Sequence, residues 1–178
     1  MVSVQTLSED ERRTVARWAL ACAERVVPLF DADADSRAQI RDAVERTRAY
    51  SAGEGVTAQE IRKRLVAATA AKAATTPAGA AAARSVAQAS AVAHMGAHAL
   101  GAAAYAAKAV ALANPENPEA VADEIAWQMA QLADAERAIL RQLPEVGTDS
   151  SGPLGPGLLA TGQLGAAITE LQARIGHS

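Results

Sequence analysis

The sequence predicts an all-α fold: a single-domain bundle of about six helices with an alanine-rich central helix. Three observations carry this. Apolar residues recur at the three-and-four spacing of helix stripes, capping residues and prolines stand where those stripes begin, and no strand-like alternation of any length interrupts them. At 178 residues the chain can bury a core without disulfides or metal. The expected organisation is a flexible N-terminus over 1–7, a helical bundle over 8–143, a Pro/Gly/Ser loop over 144–157, and a C-terminal helix over 158–178 packed on the bundle.

Ser8 and Glu11 form an S-x-x-E capping box that opens the first helix, which runs to about Phe30. Val15, Trp18, Cys22 and Val26 lie on one stripe, and Pro28 falls in the last turns. Asp31, Asp33 and Asp35 cap the second helix and favour its positive end, with Ile40, Ala43, Thr47 and Tyr50 facing inward. Gly53 and Gly55 break it. A second capping box, Thr57 to Glu60, opens the third helix, through about Ala74, with Ile61, Leu65 and Ala68 inward.

Thr76 as N-cap and Pro77 at the first helical position open the fourth helix. From Pro77 to Ala113 it is mostly alanine, the best helix former, and carries charge only at Arg84 and Lys108. Unbroken, it would span roughly 55 Å, longer than a domain of this size is wide, so a break is expected around Gly96 or Gly101. A helix with no charged face is usually central, and its small side chains let neighbours pack close. Asn117 and Pro118 restart the chain into a fifth helix ending near Leu143, and a sixth runs from about Leu158 to Ile175.

Composition narrows the function. A net charge of −3 and 3% aromatic residues give neither attraction to phosphate nor surfaces for base stacking, so nucleic acid is not an expected partner. The uncharged stretch between Arg84 and Lys108 could reach across a bilayer, but alanine contributes little transfer energy and Ser85, Gln88, Ser90, His94 and His98 interrupt it, so no membrane span is expected. A lone cysteine, Cys22, and the lack of a signal-like N-terminal stretch point to a cytoplasmic protein.

His94 and His98 stand one helical turn apart and are expected to share a face with Gly101, Tyr105 and Lys108. Two imidazoles at this spacing can meet one metal, but a zinc site needs further ligands and none is near in sequence, so no metal and no cofactor is expected. Structural histidines hydrogen-bonded within the bundle are the plainer expectation. Cys22 lies on an apolar stripe, as an inert buried thiol would, and Trp18 and Trp127 read as core anchors. The acidic run from Asp31 resembles the opening of a calcium loop but lacks its glycine and distal glutamate. No nucleotide-binding, serine-hydrolase or paired-cysteine motif is present, which favours binding over catalysis.

The phrase from Arg17 to Phe30, followed by Asp35-Ser36-Arg37, resembles the opening of a bacterial, alanine-rich, all-helical family of putative immunity proteins. The later phrase from Ala91 to Ala109, with its H-x-x-x-H and Y-A-x-K-A pattern, resembles that family's alanine-rich segment. The likeness covers about residues 10 to 140. It departs from the family pattern at Ala38, where proline is usual, and at Ala70 or Ala71, where a further histidine is usual. The resemblance implies non-covalent binding of a cognate protein toxin. A different class stays open: a small-molecule pocket within the bundle, lined by Trp18, Cys22, His94, His98 and Tyr105, serving resistance, sequestration or a cofactor-independent reaction of secondary metabolism. The alanine and glycine faces also allow a homodimer.

Overall fold

The computed structural model describes residues 2–176. Among them the chain is all-helical, with α1 (Glu9–Val26), α2 (Ala34–Ser51), α3 (Thr57–Lys63), α4 (Val66–Ala70), α5 (Pro77–Ala91), α6 (His98–Ala113), α7 (Ala120–Ala130), α8 (Asp134–Leu140) and α9 (Gly162–Gly176). Three of the six expected helices are each broken in two: the third into α3 and α4, the fourth into α5 and α6, the fifth into α7 and α8. Of the other three, the second keeps its expected extent, the first ends at Val26, and the sixth begins at Gly162 after a separate 3-10 turn, Leu158–Ala160. No described helix is long and apolar enough to cross a membrane.

Local signals account for several starts. Ser8 and Glu11 make the expected capping box on α1, Asp33 caps α2 through the Ser36 N–H, and Thr76 caps α5 through the Gly79 N–H. At Pro28 the chain tightens into a 3-10 turn, Val27–Leu29, which ends α1 at Val26. Thr57 behaves otherwise. It is the first residue of α3 rather than its cap: its hydroxyl donates to Glu9 at 2.6 Å, and Glu60 is ion-paired with Arg46 at 2.8 Å. Tertiary partners have taken both side chains that would have formed the second box. Leu65, expected inward, stands 63% exposed between α3 and α4. Asn117 accepts from the Glu119 N–H, and α7 proper begins one residue later, at Ala120.

The α5–α6 hairpin is the centre of the bundle and its most extensive helix–helix contact. α1, α7 and α9 pack on α6, while α1, α2 and α4 pack on α5. Ala99, Ala102, Ala103, Ala104 and Ala106 are each 0% exposed. With only methyl groups between them, neighbouring backbones come close enough for polar bonding across helices. Ser85 Oγ of α5 donates to the Ala102 carbonyl of α6 at 2.7 Å.

The break between α5 and α6 is held from outside. The Gly96 and Ala97 N–H groups donate to the Thr6 and Gln5 carbonyls at 3.1 and 3.0 Å, so two donors that continued helix would have used internally bond to the N-terminal segment instead. A Cβ on Gly96 would lie 2.3 Å from a methyl carbon of Leu7, so this approach requires glycine. The segment expected to be a flexible leader thus contains a 3-10 turn, Val4–Thr6, and a Gln5 side chain that is 1% exposed. Met1, named within that expectation, lies outside the described residues, as do His177 and Ser178 at the end of the expected C-terminal helix.

Candidate functional site

Burial divides the five residues singled out by sequence. Trp18 and Cys22 point into the core from α1 and are both 0% exposed. The Trp18 indole N–H donates to the Gln128 carbonyl at 2.8 Å. Around Cys22, burial first and the carboxylates of Glu124 and Glu136 next push the thiol well above its ordinary range. A thiol that is sealed and held protonated is no nucleophile at neutral pH.

His94, His98 and Tyr105 lie near the α5–α6 turn and along α6. The sequence placed both histidines on one helix face, but His94 belongs to the turn between the helices and is exposed, while His98 is the first residue of α6 and half-buried. They remain neighbours across space. His98 Nδ1 lies 2.8 Å from Gln88 Oε1; with the amide oxygen as acceptor the ring nitrogen donates, which leaves Nε2 as the acceptor. Gly101 makes room for this contact, because a Cβ there would lie 2.3 Å from Gln88 Oε1. Burial foremost, then His94 and the Arg64 guanidinium, hold the His98 pKa down to about 4. Tyr105 is 5% exposed, and burial raises its phenol despite the opposing effect of Arg84.

The neutral His98 has a measurable consequence. Between pH 6.5 and about 4 the unfolded chain takes up a proton that the folded imidazole refuses, so acidification through this window costs folding stability, about 2 kcal/mol for a ring still partly in contact with water. Urea unfolding at pH 7 and pH 4.5 should show a larger acid loss in the parent than in His98→Asn. Equal losses would mean that the ring titrates normally.

A second polar constellation escaped the sequence reading. Glu124, Gln128 and Glu136 are each 2% exposed or less and face α1. Arg25 Nε donates to Glu124 at 2.7 Å, Gln128 Nε2 donates to the Ala103 carbonyl at 3.0 Å, and Arg17 holds Glu136 through two bonds of 2.5 and 2.6 Å. Glu136 also accepts from the Ala133 N–H, which fixes the start of α8. The available signal was the pairing of Arg17 and Arg25 on α1, flanking Trp18 and Cys22, with carboxylates on a later helix that also carries core residues. Trp127 is half-buried, with the Arg25 guanidinium 4.3 Å from its ring centre, so it serves as a shelf for that cation as well as an apolar contact.

No group of three or more His, Cys, Asp or Glu side chains that could hold a metal occurs among the described residues. A surface groove of about 370 Å³ between α6, α7 and α9 is lined by residues such as Ala107, Val121, Ile125 and Ala167, and includes none of the five. Chemically, the arrangement offers one neutral imidazole acceptor beside an exposed histidine and arginines, which suits recognition.

No curated protein matches the chain. No solved structure matches it. A family model described as Imm-5 like putative immunity protein matches residues 5–135, a span running from the buried Gln5 through the α5–α6 hairpin to the first turn of α8. That covers well over half of the chain, which therefore belongs to the Imm-5 like putative immunity protein family.

Proposed function

We propose that the protein protects its producer by binding a cognate toxin stoichiometrically and occluding it. The family match over residues 5–135 carries this reading. The chemistry of the site supports binding over turnover: Cys22 is sealed and protonated, and His98 is committed to Gln88. A core of buried alanines with charged outer helices is suited to presenting a rigid surface, which lowers the ordering cost of association. Non-covalent inhibition of this kind needs no group that changes during the event.

Co-expression with the product of a neighbouring toxin gene is the direct experiment. The expected result is restored growth of the host and a one-to-one complex by size-exclusion chromatography with light scattering. Absence of both protection and complex would overturn the immunity role.

A further inference from the structure

Between Glu60 and Glu116 the sequence contains no aspartate or glutamate, while Arg62, Lys63, Arg64, Lys72, Arg84 and Lys108 all fall inside that interval. In a chain of net charge −3 this is a strong segregation. The fold keeps much of it together. α3 and α4 pack against α5, and α5 against α6. Arg64 is close enough to depress the His98 pKa, His98 bonds to Gln88, and Arg84, one turn before Gln88 on α5, acts on Tyr105. The exposed cations Arg62 and Lys63 at the end of α3 and Arg84 on α5 thus stand on elements that pack together, and the one acid on those elements, Glu60, is paired with Arg46.

An apolar side chain stands exposed at the α3–α4 junction of this face: Leu65 is 63% exposed, whereas the internal faces of α3 and α4 are occupied by Ile61 and Ala67. An exposed leucine among arginines has the composition of an interface anchor with a charged rim. We propose that this face, centred on Arg62, Lys63, Leu65 and Arg84, docks an acidic surface of a partner protein. Charge complementarity selects that partner, and the apolar anchor holds it. The proposal rests on the immunity role in taking that partner to be the toxin. Nucleic acid is the poorer fit, because no Phe, Tyr or Trp among the described residues is exposed to offer stacking and the whole-chain charge is negative.

The test uses the full-length ¹⁵N-labelled protein and a synthetic peptide rich in Asp and Glu with two leucines, alongside a DNA duplex and phosphatidylglycerol vesicles. The expected result is salt-sensitive amide shifts at 62–65, 84–88 and 94–98 with the peptide, and peptide affinity lowered at least about tenfold by Arg62→Glu/Lys63→Glu. Both positions are exposed, and Leu65→Ala provides a second variant that leaves charge intact and should also weaken binding. Shifts elsewhere, tighter binding to duplex or vesicles, or a dimer of the free protein that Arg62→Glu/Lys63→Glu dissociates would each overturn the proposal. The two readings fail separately. Toxin bound equally well by the double variant removes this face and leaves immunity standing; peptide binding here without toxin protection removes immunity and leaves the face.

Discussion

Trp18→Ala is expected to lower folding stability by about 3–5 kcal/mol, the usual cost of emptying a fully buried tryptophan site. Three features place it at the upper end. The side chain is 0% exposed; its indole N–H serves the Gln128 carbonyl, which would be left with one partner fewer in a dry interior; and α6, which packs on α1, buries mainly alanines that have no length with which to fill a space. A domain of ordinary stability would retain little margin. Trp127→Ala is the natural comparison, since that ring is half-buried and works partly by supporting Arg25, and it should cost clearly less. Urea midpoints for the two variants decide the point, and a Trp18→Ala loss below about 1 kcal/mol would show that the core relaxes into the void.

Gln5→Ala is expected to cost about 3 kcal/mol and to loosen two distant segments together. Gln5 Nε2 donates to Asp149 Oδ2 at 2.6 Å and to the Ser151 carbonyl at 2.7 Å, and Oε1 accepts from the Leu154 N–H at 2.9 Å. Leu154 is 0% exposed, so its N–H would lose its acceptor where water does not easily replace it. The Gln5 backbone carbonyl accepts from the Ala97 N–H in the α5–α6 break. Gly152, at φ 75°, lies against the Gln5 side chain, and no larger residue would fit there. Hydrogen exchange should therefore show early loss of protection at Leu154 and at Gly96 and Ala97, with α1 and α6 protected as in the parent. Unchanged exchange at those amides would contradict the coupling.

The fold class was legible because it rests on local chemistry. Ser8 with Glu11, Asp33 before Ser36, and Thr76 with Pro77 set helix starts through partners within three residues, and the structure keeps all three. Thr57 and Glu60 had the same pattern and did not cap, because Glu9 and Arg46 from other helices competed for their side chains. Length called for a break in the alanine-rich helix and the glycines offered two places for it, Gly96 or Gly101; it falls at Gly96, while Gly101 lies inside α6. What holds it open, the carbonyls of Gln5 and Thr6, is some ninety residues away in sequence and outside any periodic pattern. That break also moved His94 off the helix that carries His98, so a spacing that looked like one face became a turn and a helix end. Glu124, Gln128 and Glu136 were hidden for the opposite reason: charged and amide residues read as solvent-facing until their arginine, tryptophan and backbone partners are in place.

The alanine hairpin at the centre of the bundle also bears on how the protein responds to temperature. Each buried alanine removes less apolar area from water than a leucine or isoleucine would, and the heat-capacity increment of unfolding scales with that area. A core in which α5 and α6 contribute mainly methyl groups therefore unfolds with a modest increment for its length. The stability curve is correspondingly broad and flat, so the scaffold changes little in stability between cool and warm surroundings and relies on close backbone contact more than on the warmth-dependent exclusion of water.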